Sequence, residues 1–337
     1  MKKILITGGS GFIGTNLILY LIKRKNIIFN IDKISKESTP EKFKKIKKNY
    51  FFYKQDLLNE KKIKQLIFKI KPDIIINLAA ESHVDRSIDS PKYFIINNIL
   101  ASFNLFKVLK DYYNINKKVK IFHISTDEVY GSNKRGEFSE NCQYNPSSPY
   151  SASKGSSDLI ANSFIETYKL PILILYISNN YGPFQFIEKF IPKIIVNYIN
   201  NKNLPIYGRG GNIREWIYVN DTCSAIYKAI NKKALKGRFN IGSNTRYKNI
   251  YIINSIIKIL SKKIKIKSKS KIVFVKDRPG HDYRYAINSK KFRKIANWRS
   301  KMPLHKGLEK TINWYIENNK WVKYSLNKYQ GERQGRT

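Results

Sequence analysis

Residues 3–14 read Lys3-Ile4-Leu5-Ile6-Thr7-Gly8-Gly9-Ser10-Gly11-Phe12-Ile13-Gly14. A short apolar run ends directly in glycines at the spacing G-x-x-G-x-x-G, and an apolar stripe at helical spacing follows through Arg24. That is a strand, a tight turn and a helix start. Glycine permits the turn and lets backbone N–H groups reach a pyrophosphate, and the helix dipole favours negative charge there.

The pattern repeats outward from this stretch. Strands are expected at Asn26–Asp32, Tyr50–Tyr53, Pro72–Ala80, Lys120–Ser125 and Pro171–Ser178, with helices at Asn59–Ile70, Pro91–Tyr113 and Ser151–Tyr168 between them. Continuous β-branched runs alternating with helices predict a parallel sheet covered on both faces. The fold class is therefore α/β, a Rossmann-type doubly wound sheet. After Asn180 the rhythm changes to a turn at Tyr181–Pro183, a glycine-rich turn at Gly208–Gly211, a strand at Arg214–Val219, a short strand at Phe239–Ile241 and helices near 187–200, 221–230, 250–260 and 304–317. Residues 1–180 are read as the dinucleotide-binding domain, receiving segments near 212–245. Residues 181–330 are read mainly as a smaller, interwoven substrate lobe.

Asp32 ends the second strand, where a carboxylate accepts both ribose hydroxyls and repels a 2′-phosphate. This favours NAD over NADP, although Lys33 stands beside it. Asp56 follows the third strand and suits either the adenine edge or a helix cap. Leu78, Ala79 and Ala80 end the fourth strand with mostly small side chains, as a flat ligand requires.

Tyr150 and Lys154 form a Y-x-x-x-K pair, which on a helix shares one face. Lys154 is expected to lower the Tyr150 pKa and bind the nicotinamide ribose, making Tyr150 a base for a sugar hydroxyl. Thr126, Asp127 and Glu128 fall at the C-terminal end of the fifth strand, where parallel sheets hold their ligands. Two adjacent carboxylates exceed the needs of alcohol oxidation. They suit a reaction that also moves a carbon-bound proton and expels water, one as acid and one as base.

Composition limits the alternatives. The chain has 337 residues, 42% hydrophobic and 13% aromatic, so a disordered chain is excluded. With 64 Lys+Arg against 24 Asp+Glu, the net charge is +40, which by itself points to a phosphate-rich partner. The lysines are spread, densest in 42–48 and 258–271, and no nucleic-acid-binding motif accompanies them. If the Lys263–Lys271 stretch (KIKIKSKSK) formed a strand, its lysines would share one face. Two cysteines, Cys142 and Cys223, are too few for a disulfide framework or a Cys-based zinc site, and no metal is expected. With no signal-peptide core or apolar span of about 18 residues, a cytoplasmic protein without a membrane partner is expected.

Gly8–Gly14, Ser125–Glu128 and Tyr150–Lys154 together resemble the extended short-chain dehydrogenase/reductase superfamily. Five phrases, Leu78–Ile88 (LAAESHVDRSI), Ser125–Gly131 (STDEVYG), Pro146–Lys154 (PSSPYSASK), Ser178–Pro183 (SNNYGP) and Asp277–Asp282 (DRPGHD), are similar to the dTDP-glucose 4,6-dehydratase family from Lys3 to about Trp321. The resemblance implies a homodimeric, NAD-dependent lyase converting dTDP-glucose to dTDP-4-keto-6-deoxyglucose and water in deoxysugar synthesis. It implies that Tyr150 deprotonates O4 with Thr126 bonded to that oxygen, that Glu128 takes the C5 proton and that Asp127 protonates the departing O6. For the cofactor it implies Gly8, Gly11, Phe12, Ile13, Gly14, Asp32, Lys33, Ile34, Ser35, Asp56, Leu57, Leu78, Ala79, Ala80, Glu81, Ser82, Asn97, Tyr150, Lys154 and Asn180. For the sugar nucleotide it implies Ser82, Thr126, Asn179, Lys189, Phe190, Pro205, Ile206, Tyr207, Arg214, Asn249, Asp277, Arg278 and His281. Arg214 and Arg278 offer forked donors for a pyrophosphate, and Tyr207 suits stacking on a base. Asn97 departs from the family's usual threonine.

Three rival readings remain at this level. A UDP-sugar dehydratase or epimerase shares the fold, but an epimerase has no use for Asp127 and Glu128. A GDP-mannose 4,6-dehydratase shares the chemistry but normally prefers NADP, which Asp32 argues against. A basic nucleic-acid-binding protein on a dehydrogenase scaffold fits the charge but not the intact catalytic set.

Overall fold

The computed structural model describes residues 1–39, 43, 46, 48–232, 235–264 and 268–329. Seven parallel strands form the main sheet: β1 Lys3–Thr7, β2 Ile27–Asp32, β3 Tyr50–Lys54, β4 Ile74–Asn77, β5 Lys120–Thr126, β6 Ile172–Ile177 and, after three strands outside the sheet, β10 Gly237–Ile241. Their order is β10-β6-β5-β4-β1-β2-β3, so the chain reverses direction across the sheet between β1 and β4. That reversal opens a crevice above the strand C-termini, the place where such sheets bind ligands.

The apolar runs are continuous because both faces are covered. Leu5, Ile75, Ile121 and Ile174 pack into one core, while their neighbours Ile6, Ile76, Phe122 and Leu175 pack into the other. Side chains alternate across a strand, so each run feeds two cores at once. The helices of this half are α1 Phe12–Ile22, α2 Glu60–Ile70, α3 Val84–Asp89, α4 Pro91–Phe94, α5 Ala101–Ile115 and α6 Pro149–Tyr168. The single helix expected over Pro91–Tyr113 is interrupted, since a π-helical turn at Ile95–Leu100 joins α4 to α5. The fourth strand also ends at Asn77, three residues short of expectation.

A third core underlies the second lobe, with Ile194, Ile195, Ile252, Ile256, Leu308 and Ile312 among its members. Here lie β7 Asn179–Tyr181, α7 Phe190–Ile199, β8 Leu204–Tyr207, β9 Ile213–Tyr218, β11 Arg246–Lys248, α9 Asn249–Lys263, β12 Ile272–Val275, α11 Leu304–Glu317 and α12 Asn319–Lys328. The chain does not stay in this lobe: α8 Val219–Asn231 packs on α1, and α10 Lys290–Ala296 packs on β10. One more expectation needs correction, and one conditional reading is resolved in part. The segment Asn179–Tyr181, which takes in the first residue of the expected turn, is a strand paired in parallel with β9. The strand near the lysine-rich run begins only at Ile272 and pairs in parallel with β8, and residues 265–267 lie outside the described residues.

Candidate active site

One cavity runs along the strand ends from the glycine turn to the second lobe. At its near end the backbone demands glycine. Gly8 has φ +70°, and a Cβ there would stand 2.7 Å from the Ala79 Cα. A Cβ on Gly14 would stand 2.5 Å from the Gly8 carbonyl oxygen. No side chain caps α1 at Gly11, so its first-turn N–H groups are left for an anion. Phe12, Ile13, Leu57, Leu78, Ala79 and Ala80 supply flat or small walls nearby.

Asp32 lines this end and accepts from the backbone N–H groups of Ser10 (2.9 Å) and Ile34 (2.8 Å). Burial nevertheless raises its pKa, with those two hydrogen bonds opposing. Lys33 is engaged elsewhere: its Nζ lies 3.0 Å from Glu81 Oε1 and donates to Asn97 Oδ1 at 2.5 Å. The cation beside Asp32 is thus spoken for, which strengthens the preference for an unphosphorylated ribose. Asp56 lines the cavity and accepts from the Leu58 N–H, while the cap of α2 is Asn59. Ser35, Glu81, Ser82, Asn97 and Asn180 also reach the wall. The glycine cradle, the bare helix start and the ribose carboxylate together fit NAD.

The Ser148-Pro149 start fixes the catalytic helix. Ser148 and Ser151 form a reciprocal capping box with Pro149 in the first turn, an arrangement that sets the helix entry. The helix therefore begins before the expected Ser151, with Tyr150 already inside it. The Tyr150 ring packs edge-on against Phe94, and its backbone N–H donates to Ser87 Oγ at 3.0 Å. One turn on, Lys154 Nζ donates to the Ile124 carbonyl at 2.8 Å. The expected effect of Lys154 on Tyr150 is not seen in the protein alone. Burial, followed by Glu128, pushes the Tyr150 phenol far above its usual range, and a hydrogen bond with Thr126 opposes them.

Asp127 and Glu128 open a tight turn whose cap is Thr126: its Oγ1 accepts from the Glu128 N–H at 3.3 Å. Their surroundings differ. Burial, then Glu128 and Glu215, drives Asp127 well above the carboxylate range, and its Oδ2 is buried with no hydrogen-bond partner among the described residues. Burial also raises Glu128, but Arg278, Arg214 and Lys189 all pull it back. Asp127 is therefore the better proton holder and Glu128 the better base.

The far end is built by the second lobe. Lys189 Nζ donates to the Ser82 carbonyl at 2.5 Å. Arg214 lies over the Tyr285 ring, 4.1 Å from its centroid. Phe190 stacks near Trp216, and Tyr207 meets His281 edge-on. Pro205, Ile206, Asn179 and Asn249 complete the wall, and the Oδ1 atoms of both asparagines are buried without a partner among the described residues. His281 titrates at about 4, lowered by burial and by Arg278 and Arg214 against its Asp277 contact.

Two expected site residues stand outside the cavity wall. Ile34 contributes a positive-φ turn and its N–H to Asp32. Asp277 accepts from His281 and from the Arg278 N–H, acting from behind them. Conversely, Tyr285 and Asp85 line the cavity unanticipated. The Tyr285 hydroxyl bonds Asp282 at 2.7 Å and approaches Glu128 at 3.4 Å. Asp85 falls within Leu78–Ile88 (LAAESHVDRSI), and the signal the sequence offers is a carboxylate set between His83 and Arg86. Tyr285 offered none beyond lying three residues past Asp282.

A family model described as GDP-mannose 4,6-dehydratase matches residues 5–311. The chain belongs to that family. It is 40% identical over 344 residues to a probable dTDP-glucose 4,6-dehydratase of Sinorhizobium fredii, covering 99% of this chain and 98% of that one. It is 38% identical to the dTDP-glucose 4,6-dehydratase of Neisseria meningitidis, with 99% of each covered. The crystal structure of the Bacillus anthracis dTDP-glucose 4,6-dehydratase with NAD superposes with a TM-score of 0.86 at 36% identity, covering 96% of this chain and 100% of that one. The Thermotoga maritima UDP-glucose 4-epimerase reaches a TM-score of 0.85 at 24% identity, covering 94% of this chain and 99% of that one. The fold is shared with epimerases, so only the site chemistry separates the activities.

Proposed function

We propose that this chain is an NAD-dependent dTDP-glucose 4,6-dehydratase, a hydro-lyase of nucleotide-sugar metabolism. The observation that carries the reading is the Asp127–Glu128 pair, two neighbouring carboxylates in one cavity with Tyr150 and unequal cationic surroundings. NAD, when bound, supplies the acceptor that takes hydride from sugar C4 and returns it to C6, and a positive charge beside the Tyr150 phenol. Tyr150 takes the O4 proton, with Thr126 bonded to the same oxygen. Glu128, held nearer its charged form, removes the C5 proton that the 4-keto group acidifies. Asp127, held protonated, gives its proton to O6 as that oxygen leaves as water. Glu128 hands the proton it took back to C5 when hydride reaches C6, while the proton held by Tyr150 replaces the one Asp127 gave up. Lys154 anchors the nicotinamide ribose from one helical turn below Tyr150.

In this reading residues 1–180, with segments near 212–245, hold the cofactor, and most of 181–330 holds the sugar nucleotide. Lys189, Arg214 and Arg278 face the pyrophosphate, and Tyr207 faces the base. Few of the excess cations are used, so nucleic acid and membrane are not partners in this proposal. The enzyme works in the cytoplasm as a homodimer, feeding dTDP-rhamnose-type sugars to polysaccharides such as the lipopolysaccharide O-antigen. Leu100, Phe103 and Leu159, on the π-helical turn, α5 and α6, are exposed apolar side chains that this reading assigns to the contact with a second copy.

Purified protein offered dTDP-glucose, UDP-glucose and GDP-mannose in turn is expected to give a 4-keto-6-deoxy sugar from the first. Product from UDP-glucose alone would overturn the substrate, and C4 inversion without water loss would make the protein an epimerase.

A further inference from the structure

Asp85 sits in α3, on the cofactor side of the cavity, and is buried at 6% exposure. Its two carboxylate oxygens serve two different residues of the opposite lobe. Oδ1 accepts from Arg278 Nη1 at 3.1 Å, and Oδ2 accepts from the Tyr207 hydroxyl at 2.7 Å. Tyr207 ends β8, and Arg278 lies in the loop after β12, so the carboxylate spans both strands of that small sheet. The contact leaves part of the guanidinium uncommitted: Arg278 Nε is buried with no hydrogen-bond partner among the described residues. A guanidinium fixed at one nitrogen and unsatisfied at another is preorganised for an anion.

We infer that Asp85 is a positioning residue for the nucleoside diphosphate part of the substrate, aiming the base-stacking Tyr207 and the pyrophosphate-binding Arg278 from across the cleft. The inference rests on the reading above, in which those two side chains contact the nucleotide. An amide in place of the carboxylate still meets both groups, its oxygen accepting from Arg278 and its NH2 donating to the Tyr207 hydroxyl, but it carries no charge and reverses the second bond. Arg278 then loses a buried counter-charge, and the Tyr207 hydroxyl no longer donates to a carboxylate. The effect belongs in nucleotide affinity, because Asp85 approaches neither Tyr150 nor Glu128 through any of its hydrogen bonds.

The test uses the NAD-loaded enzyme and its variants Asp85→Asn, Tyr207→Phe, the double variant and Arg278→Ala. Titration calorimetry with dTDP reads binding without chemistry, and steady-state kinetics on dTDP-glucose separates KM from kcat. Asp85→Asn is expected to weaken dTDP binding and raise KM by roughly tenfold, with kcat changed less than about threefold. Tyr207→Phe removes the same contact from the other side while leaving Asp85 in place, so it tests the idea even where Asp85→Asn folds poorly. The double variant is expected to be weaker than the worse single variant by much less than the product of the two effects. Normal dTDP binding in Asp85→Asn or Tyr207→Phe, with Arg278→Ala impaired, overturns the inference alone. Normal binding in Arg278→Ala removes the nucleotide reading and the inference together. Loss of kcat at unchanged dTDP affinity also overturns it.

Discussion

The two halves of the molecule place their functional groups by different means. In the sheet half they stand where regular structure ends: Gly8 after β1, Asp32 at the end of β2, Leu78 after β4, Thr126 at the end of β5. Parallel register alone brings these ends to one edge. In the second lobe, Lys189, Tyr207, Arg214, Asn249 and Arg278 come from five separate segments and meet only because α7, α9 and α11 pack around a core of their own. The first half therefore specifies chemistry through local geometry, and the second specifies affinity through assembly.

This contrast can be broken experimentally. The largest expected effect is in the sheet half, where Tyr150→Phe lowers kcat by about 10²–10⁴-fold through loss of the proton acceptor, with the bound NAD content unchanged on extraction. Wild-type turnover in that variant removes Tyr150 from the reaction. Ile174→Ala and Ile256→Ala delete fully buried side chains in different cores, and each is expected to cost about 2–5 kcal/mol in denaturant unfolding. Because β10 and α8 return to the sheet half, calorimetry should show both variants shifting one common transition. Two independent transitions would mean that the halves fold separately. Arg278→Ala is expected to raise KM by roughly 10–100-fold, the worth of a charged hydrogen bond, with a smaller change in kcat. A kcat collapse there would blur the division between chemistry and affinity.

Two pH effects are smaller. The raised pKa of Asp127 means that its neutral form is favoured by folding. Its contribution to stability is full below the unfolded carboxylate value and declines as pH rises toward the folded one. Asp127→Asn cannot ionise, so its melting temperature should exceed that of the wild type at pH 8 by more than at pH 4, while turnover is lost. A variant less stable than wild type at pH 8 would contradict the proton-holding role. His281 has the opposite sign. Its value is depressed to about 4, so its contribution is full above the unfolded value near 6.5 and is lost as pH falls through 4. The slope of melting temperature between pH 6.5 and 4 should flatten in His281→Gln.

The same contrast explains what was legible in the sequence. The apolar runs of β1, β4 and β6 are unambiguous because a strand covered on both faces is apolar over most of its length, and β5 keeps the pattern despite its buried His123. Gly8 and Gly14 are legible because no other residue fits their backbone. The π turn at Ile95–Leu100 leaves no mark, since its residues are as apolar as those of an ordinary helix. The β8–β12 pairing joins segments far apart in the chain, and nothing local to Leu204–Tyr207 announces its partner. Asp85 and Tyr285 are not legible for the same reason: their partners are set by tertiary packing. Lys154 is legible, but its Ile124 contact and the burial that governs Tyr150 depend on the finished core.

The strand order also bears on synthesis. In the finished sheet β6 is buried along its whole length between β5 and β10. On the ribosome its outer edge stays open until Gly237–Ile241 has been made, and at about 5–20 residues per second that is a wait of several seconds. During that interval an apolar strand offers unpaired backbone groups to any neighbouring chain. Yield at high expression rates should therefore depend on how quickly the segment from 178 to 241 is translated.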